Sequence, residues 1–255
     1  MNIAVCLKQT FDTEAKIALE NGRIREDGVQ FIINPYDEYA VEEAIKLKEA
    51  FGGTVTVVTL GPPRVEEAVR TALAMGADEA VIVDGGDAPV DEWSVSEILA
   101  AALRRLPFDL ILAGNQAVDG GSGQVAVRVA ELLGIPHVGA VTKLTVEGGR
   151  ITAERDAEGD TETVEAGMPV LVTAQQGLND PRYPSLIGIR RAGKKPVERL
   201  TPADLGLRPE ELAPRTAVVE TLLPPARGAG RILEGGTAAR VKELARALRE
   251  TSKVL

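Results

Sequence analysis

The chain has 255 residues, 44% of them hydrophobic, which gives room for one large α/β domain or two small ones. Its net charge of −9 and its aromatic content of 3% argue against a nucleic-acid partner, because phosphate backbones attract basic surfaces and bases stack on aromatic rings. Cys6 is the only cysteine, so an intrachain disulfide and a cysteine-based metal cluster are both excluded. No apolar run is long enough to span a membrane, and the sequence opens directly on a strand pattern without a signal peptide. We therefore expect a cytoplasmic protein with no membrane span and no metal site.

The first half of the chain alternates short apolar runs with longer amphipathic stretches, the pattern of βαβ units on a parallel sheet. The predicted strands are residues 3–7, 54–59, 79–83 and 110–113. The predicted helices are residues 37–51, 64–75, 90–106 and 124–133. The strands are almost continuously apolar, as expected when helices cover both faces of a sheet.

Hairpins interrupt this alternation. Asn21-Gly22 lies between two apolar stretches within residues 16–33, a strong hairpin signal. A second hairpin is predicted from residues 144–146 and 151–153, with residues 161–164 as a third strand and 170–173 as a buried strand. From about Leu186 the sequence is irregular and rich in proline until an amphipathic helix at residues 237–249. We expect this C-terminal stretch to be an arm that packs on another subunit.

A glycine-rich turn follows the strand at residues 110–113 and opens the next helix. Its site residues are Asp119, Gly120, Gly121, Ser122, Gly123, Gln124 and Val125. Glycines allow a ligand to approach the backbone, and the amides at a helix start attract anions. The turn lacks the lysine of a P-loop, so the residues alone leave a phosphate site and a plain βα turn equally open.

Two further stretches of the sequence contain candidate site residues. Asn34, Pro35, Tyr36 and Asp37 open the first helix, either simply as a cap followed by proline or as additional nucleotide contacts. In the polar loop at residues 175–184, Leu178 is either a core anchor or an exposed plug for a partner's pocket, with Arg182 and Tyr183 beside it.

The sequence offers little for catalysis. His137 is the only histidine, and no serine or cysteine nucleophile is placed to use it. We interpret His137 and Cys6 as structural residues. Composition thus favours a binding or carrier protein over an enzyme, and we assign no catalytic residue.

Several separated motifs resemble the beta subunit of electron-transfer flavoproteins. The most specific is a spaced pattern in the second half of the chain: Ala153, Arg155, Glu158-Gly159-Asp160, Glu162, Val164, Pro169 and Leu171-Val172-Thr173. Residues 34–44, 70–78 and 178–183 are similarly close, and the resemblance covers residues 2–195.

The resemblance implies a Rossmann-like α/β fold, with a parallel sheet, helices on both faces, added hairpins and a C-terminal arm. It implies an AMP-binding domain at residues 1–195 and an arm with its helix at 196–255, packing on a larger alpha subunit. That alpha subunit would hold most of a shared FAD, while AMP would be structural. The family's AMP contacts correspond here to Cys6, Asn34, Pro35, Tyr36, Asp37, Leu60 and the seven residues from Asp119 to Val125. Leu178 corresponds to an anchor that docks acyl-CoA-type or other flavin dehydrogenases.

Two alternatives remain at this level. One is an ATP-binding regulatory or stress protein on the same scaffold. The other keeps the electron carrier but places a second FAD where AMP is expected. We favour the electron-carrier subunit without substrate chemistry of its own.

Overall fold

A nine-stranded sheet forms the centre of the molecule in the computed structural model, which describes residues 1–86, 90–225 and 228–254. The strands of this sheet are β1 (Asn2–Cys6), β6 (Thr54–Leu60), β7 (Glu79–Val83), β8 (Leu110–Gly114), β9 (His137–Glu147), β10 (Arg150–Ala157), β11 (Asp160–Gly167), β12 (Val170–Ala174) and β13 (Val197–Leu200). Their order across the sheet is β11-β10-β9-β12-β8-β1-β6-β7-β13. The seven strands from β9 to β13 in this order run parallel, and β10 and β11 extend one edge as antiparallel strands. The predicted α/β fold with a mostly parallel sheet is confirmed.

Short strands and the helices complete the fold. The short strands outside the sheet are β2 (Gln9–Phe11), β3 (Leu19–Glu20), β4 (Arg23–Ile24) and β5 (Phe31–Ile33). The helices are α1 (Pro35–Phe51), α2 (Val65–Met75), α3 (Glu92–Leu103), α4 (Val125–Leu133), α5 (Leu186–Ala192) and α6 (Thr237–Arg246).

Helices cover both faces of the sheet because its central strands are apolar on both sides. One buried cluster joins α1 and α2 to side chains such as Ile3 and Val5, and the other joins α3 and α4 to Ala4 and Ile111. Successive residues of β1 thus enter opposite clusters, as the two-residue period of a strand requires. The continuous apolar runs seen in the sequence have this origin.

The predicted hairpins are present. Asn21 and Gly22 both have positive φ, 51° and 73°, and connect β3 to β4. The β9–β10–β11 meander is longer than predicted, because its outer strands carry exposed polar residues that weaken the sequence signal.

The prediction that the chain becomes irregular at Leu186 is wrong for the next fifteen residues. The helix α5 packs on α2, and β13 pairs in parallel with β7. The sheet therefore continues through Leu200, past the predicted domain boundary at residue 195. Two 3₁₀ turns (Ala203–Leu205 and Pro209–Leu212), extended chain, α6 and a π-helical turn (Ala247–Thr251) follow. Residues 226, 227 and 255 of the predicted arm lie outside the described residues.

Within the described ranges, no helix is both long and apolar enough to cross a bilayer. The same ranges contain no group of three or more His, Cys, Asp or Glu side chains arranged to hold a metal ion.

Candidate nucleotide-binding site

A cavity of about 660 Å³ opens at the carboxyl ends of β1, β6 and β8. The chain leaves β1 toward β6 and β7 on one side, and β8 and β12 lie on the other. In open parallel sheets, ligands bind at this reversal of strand order because the loops there diverge and leave a crevice.

Most of the predicted binding residues meet in this cavity. Those that line it are Cys6, Asn34, Asp37, Leu60, Asp119, Gly120, Gly121, Ser122, Gly123, Gln124 and Val125. Pro35 and Tyr36 do not line it: Pro35 begins α1, and the Tyr36 side chain lies beside Gly114.

Two glycines of the turn have a conformation that other residues adopt only with strain. Gly121 has a φ of +66° and Gly123 a φ of +60°. Gln124 is the N-cap residue of α4, and its side chain makes no capping hydrogen bond. The first amides of α4 therefore face the cavity mouth without a side-chain cap, a setting that suits an anion. Ser122 lies before the cap position and lines the cavity.

Asn34 holds the turn in place instead of capping α1. Its Nδ2 donates to the Gln116 carbonyl at 2.9 Å, and its Oδ1 accepts from the Val118 amide at 3.1 Å. The side chain is buried and makes no cap hydrogen bond to α1. Asn34 is thus a positioning residue for the glycine-rich turn.

Asp37 ties the ends of β1 and β8 to the start of α1. Its carboxylate accepts from the Lys8 amide at 2.7 Å and from the Gly114 amide at 2.8 Å. A Cβ at Gly114 would lie 2.2 Å from the Asp37 Oδ1, so glycine is required there. Burial raises the pKa of Asp37 to about 7, against the opposing effect of these hydrogen bonds.

The positive charges of the cavity wall are already paired. Lys8 Nζ lies 2.7 Å from Asp119 Oδ1. The Arg64 guanidinium donates to Gln9 Oε1 at 2.9 Å and to Glu26 Oε1 at 3.2 Å. An anion in the cavity would therefore be held chiefly by backbone amides.

Two parts of the cavity wall were not predicted from the sequence. The β2–β5 pair forms one side, with Phe11 and Phe31 lining the cavity and Arg64 stacked 4.0 Å over the Phe31 ring. Thr216 and Val218, from the C-terminal stretch, line another side. The strands β2 and β5 have three residues each, too few for a two-residue alternation to be read.

The predicted docking residues have different surroundings. Leu178 is 9% exposed and belongs to the core cluster with α1 and α2, which agrees with the core-anchor interpretation and does not support an exposed plug. Arg182 is held on α1 by ion pairs to Glu42 at 2.8 Å and Glu49 at 2.6 Å. Tyr183 is 96% exposed.

Cys6 and His137 show no sign of nucleophilic or acid–base chemistry. Burial, followed by the nearby Asp37, raises the pKa of the Cys6 thiol to about 12, so a reactive thiolate is disfavoured. His137 begins β9, and burial together with the charge of Arg155 lowers its pKa.

The doubly wound sheet, with a glycine-rich turn and a helix start at its strand-order reversal, defines a Rossmann-like α/β protein with a cavity at the position where such folds bind ligands. The family model described as "Electron transfer flavoprotein domain" matches residues 21–205. The chain belongs to the electron transfer flavoprotein family, and its role is in electron transfer.

Similar proteins support this assignment along the whole chain. The "Electron transfer flavoprotein subunit beta" of Bacillus subtilis is 53% identical over 258 aligned residues, covering 100% of both chains. The subunit of the same name from Syntrophomonas wolfei is 42% identical, covering 100% of this chain and 98% of the relative. The "Caffeyl-CoA reductase-Etf complex subunit CarD" of Acetobacterium woodii is 40% identical over 93% of each chain.

Proposed function

We propose that this chain is the beta subunit of a heterodimeric electron carrier, whose alpha subunit holds most of the FAD. The chain binds AMP in the cavity described above, as a structural group, and performs no substrate chemistry. The observation that carries this proposal is the cavity itself, whose anion-attracting elements are a glycine-rich turn and the start of α4.

The charges of the cavity favour a monophosphate over a triphosphate. Among the described residues that line it, the cationic side chains are Lys8 and Arg64, and both are paired. A triphosphate carries more negative charge than one turn of amides offsets, and P-loop proteins use a lysine for that purpose. This argues for AMP and against the alternative of an ATP-binding regulatory protein.

The C-terminal arm supports a partner subunit. Several of its large apolar side chains are exposed in the isolated chain, among them Val219 at 98% and Ile232 at 89%. Exposed apolar surface of this extent is typical of a protein interface. We propose that the arm, beginning after β13, packs on the alpha subunit, and that the heterodimer lies in the cytoplasm.

For dehydrogenase docking, the surface around α5 offers more exposed apolar side chains than Leu178, which is buried. The small residues Gly188 and Ala192 face the molecule: Ala192 is buried, and a Cβ on Gly188 would lie 2.3 Å from the Ala74 carbonyl of α2. The large apolar side chains of this region point outward: Tyr183, Leu186, Ile187 and Ile189. A helix that buries its small residues and exposes its large ones is arranged to contact a partner. We propose that this patch docks flavin dehydrogenases, of the acyl-CoA type or another.

Nucleotide preference tests the proposed function. The chain is co-expressed with its alpha subunit, the yellow heterodimer is depleted of nucleotide, and AMP and ATP binding are measured by calorimetry. We expect AMP to bind more tightly than ATP. Preferential binding of ATP, or a colourless chain that purifies without a flavoprotein partner, would overturn the proposal in favour of the regulatory alternative.

A further inference from the structure

The C-terminal stretch reaches the wall of the cavity before it continues along the exposed arm. We name residues 213–219 the strap. Thr216 and Val218 of the strap line the cavity, facing the same space as the glycine-rich turn. The strap is exposed to solvent along its length, so packing alone does not hold it there.

One carboxylate fastens the strap. Asp91 Oδ2 accepts hydrogen bonds from the Arg215 amide at 2.7 Å, the Thr216 amide at 2.9 Å and the Thr216 hydroxyl at 3.1 Å. The other oxygen, Oδ1, accepts from the Ser94 amide at 3.0 Å and caps α3. One oxygen of Asp91 therefore caps α3, and the other holds the strap.

Few other interactions join the strap to the domain. The Arg215 guanidinium stacks 3.3 Å over the ring of Trp93, the second residue of α3. Across residues 213–225, all of which the structure describes, the hydrogen bonds to the rest of the chain are the three on Asp91. Loss of the Asp91 acceptor would therefore remove the hydrogen bonds that join residues 213–225 to the rest of the chain.

The Asp91 carboxylate, which we call the latch, stays charged at ordinary pH. Partial burial acts to raise the pKa of Asp91, but the hydrogen bonds from Ser94, Arg215 and Thr216 outweigh it and hold the pKa well below its usual range. Hydrogen bonds to a charged acceptor are also stronger than those to a neutral one.

We propose that the strap, latched by Asp91 and stacked on Trp93, closes the nucleotide cavity and sets the rate at which the nucleotide leaves. This inference rests on the proposed function, since it takes AMP as the bound nucleotide. Asp91, Trp93, Arg215 and Thr216 thereby become positioning residues of the site. The strap that retains the nucleotide is thereby part of the same C-terminal arm that packs on the partner.

The substitution Asp91→Asn separates the latch from the helix cap. An asparagine keeps one oxygen for the Ser94 amide but presents an NH₂ group, a donor, to the donors of Arg215 and Thr216. Asp204→Asn is the matched control, because Asp204 accepts a backbone and a hydroxyl hydrogen bond from Thr201 and does not line the cavity.

Two measurements are made on the purified heterodimer. Release of AMP is followed by chromatography of the free nucleotide after dilution, and hydrogen exchange by mass spectrometry follows the Arg215 and Thr216 amides. We expect Asp91→Asn to release AMP about tenfold faster than wild type and to expose both amides, while Asp204→Asn leaves both unchanged.

Three results would each contradict a different part of the account. Exposed amides with unchanged AMP release in Asp91→Asn would overturn the strap's role in retention. Rapid exchange of both amides in the wild type would overturn the latch. A wild-type heterodimer with protected amides but no adenine nucleotide besides FAD would instead contradict the proposed function.

Discussion

Asp37 links the two strands that flank the cavity to the first turn of α1, and it does so from a fully buried position. Its pKa is raised from 3.8 to about 7, so between these values the folded state binds a proton that the unfolded state has lost. A proton retained by the folded state stabilises it at low pH, and this stabilisation is lost as the pH rises through about 7. A neutral Asp37 would also avoid repelling a phosphate nearby.

The first prediction concerns this pH dependence. Asp37→Asn should remove the decline in unfolding free energy between about pH 4 and pH 7 that Asp37 contributes to the wild type. Urea unfolding at several pH values measures the difference between the two proteins. Asp204→Asn is the control: hydrogen bonds from Thr201 lower the pKa of the Asp204 carboxyl below its usual 3.8, so its effect on stability lies below that pH and its profile between pH 4 and pH 7 should match the wild type. Parallel pH profiles for wild type and Asp37→Asn would show that Asp37 is ionised in the folded state.

The second prediction compares two leucines with opposite surroundings. Leu178→Ala should destabilise folding by about 2–5 kcal/mol through a core cavity. Leu186→Ala should leave the melting temperature unchanged, because Leu186 is 81% exposed, and should weaken dehydrogenase docking by roughly 1–3 kcal/mol. Thermal unfolding and flavin reduction by a cognate dehydrogenase are measured on the same preparations. A stable Leu178→Ala variant that fails to dock would restore Leu178 as the docking residue.

At the scale of elements, the glycine-rich turn has two kinds of glycine. Gly121 and Gly123 have positive φ, whereas Gly120 does not and has open space where a Cβ would lie. An alanine at positive φ costs roughly 1–2 kcal/mol. Comparing alanine at Gly123 with alanine at Gly120 therefore separates the effect of the backbone conformation from the effect of the added methyl group.

The third prediction uses this contrast. Gly123→Ala should lower the AMP content of the purified heterodimer, because it strains the turn that leads into α4, while flavin content stays unchanged. Gly120→Ala carries the same added methyl group and should retain AMP. The ratio of nucleotide to flavin after denaturation gives the result. Equal AMP contents in both variants would mean that the turn geometry does not hold the phosphate.

The central elements were predictable because their sequence patterns are long and regular. The strands β1, β6, β7 and β8 and the helices α1 to α4 lie within a few residues of their predicted bounds. The failures occur where local patterns are short or reversed. The strand β13 has four residues, two of them exposed charges, and α5 exposes its apolar side chains. In each case tertiary contacts, not local periodicity, stabilise the element.

The candidate site was predictable only in its local parts. The glycine-rich turn and the start of α1 carry local signals, and the structure brings both to one cavity. The link between Asp91 and Thr216 spans 125 residues, so no local pattern could indicate it. The sequence leaves Leu178 open between a core anchor and an exposed plug, because burial distinguishes the two and burial is a property of the packed fold.

At the scale of the whole molecule, the chain has a well-packed domain and an arm without a core of its own. In α6, Val241 and Leu244 are exposed, and no residue of the helix is buried. A helix with no buried residue gains most of its stability from a partner surface that packs on its apolar side chains.

The fourth prediction follows from that exposure. Binding of the alpha subunit should raise the melting temperature of this chain, because a partner that binds only the folded state stabilises it by mass action. Differential scanning calorimetry of the isolated chain and of the heterodimer provides the comparison, with a chain truncated before α6 as the control. An isolated chain that melts as high as the heterodimer would contradict the proposed packing of the arm.

The most direct test of the central claim is the identity and amount of the nucleotides in the purified heterodimer. The complex is denatured, and the released cofactors are identified and quantified by mass spectrometry and absorbance. We predict one AMP and one FAD for each heterodimer. Two FAD molecules without AMP would place a second flavin in the cavity, and the presence of ATP or of no adenine nucleotide besides FAD would contradict the account.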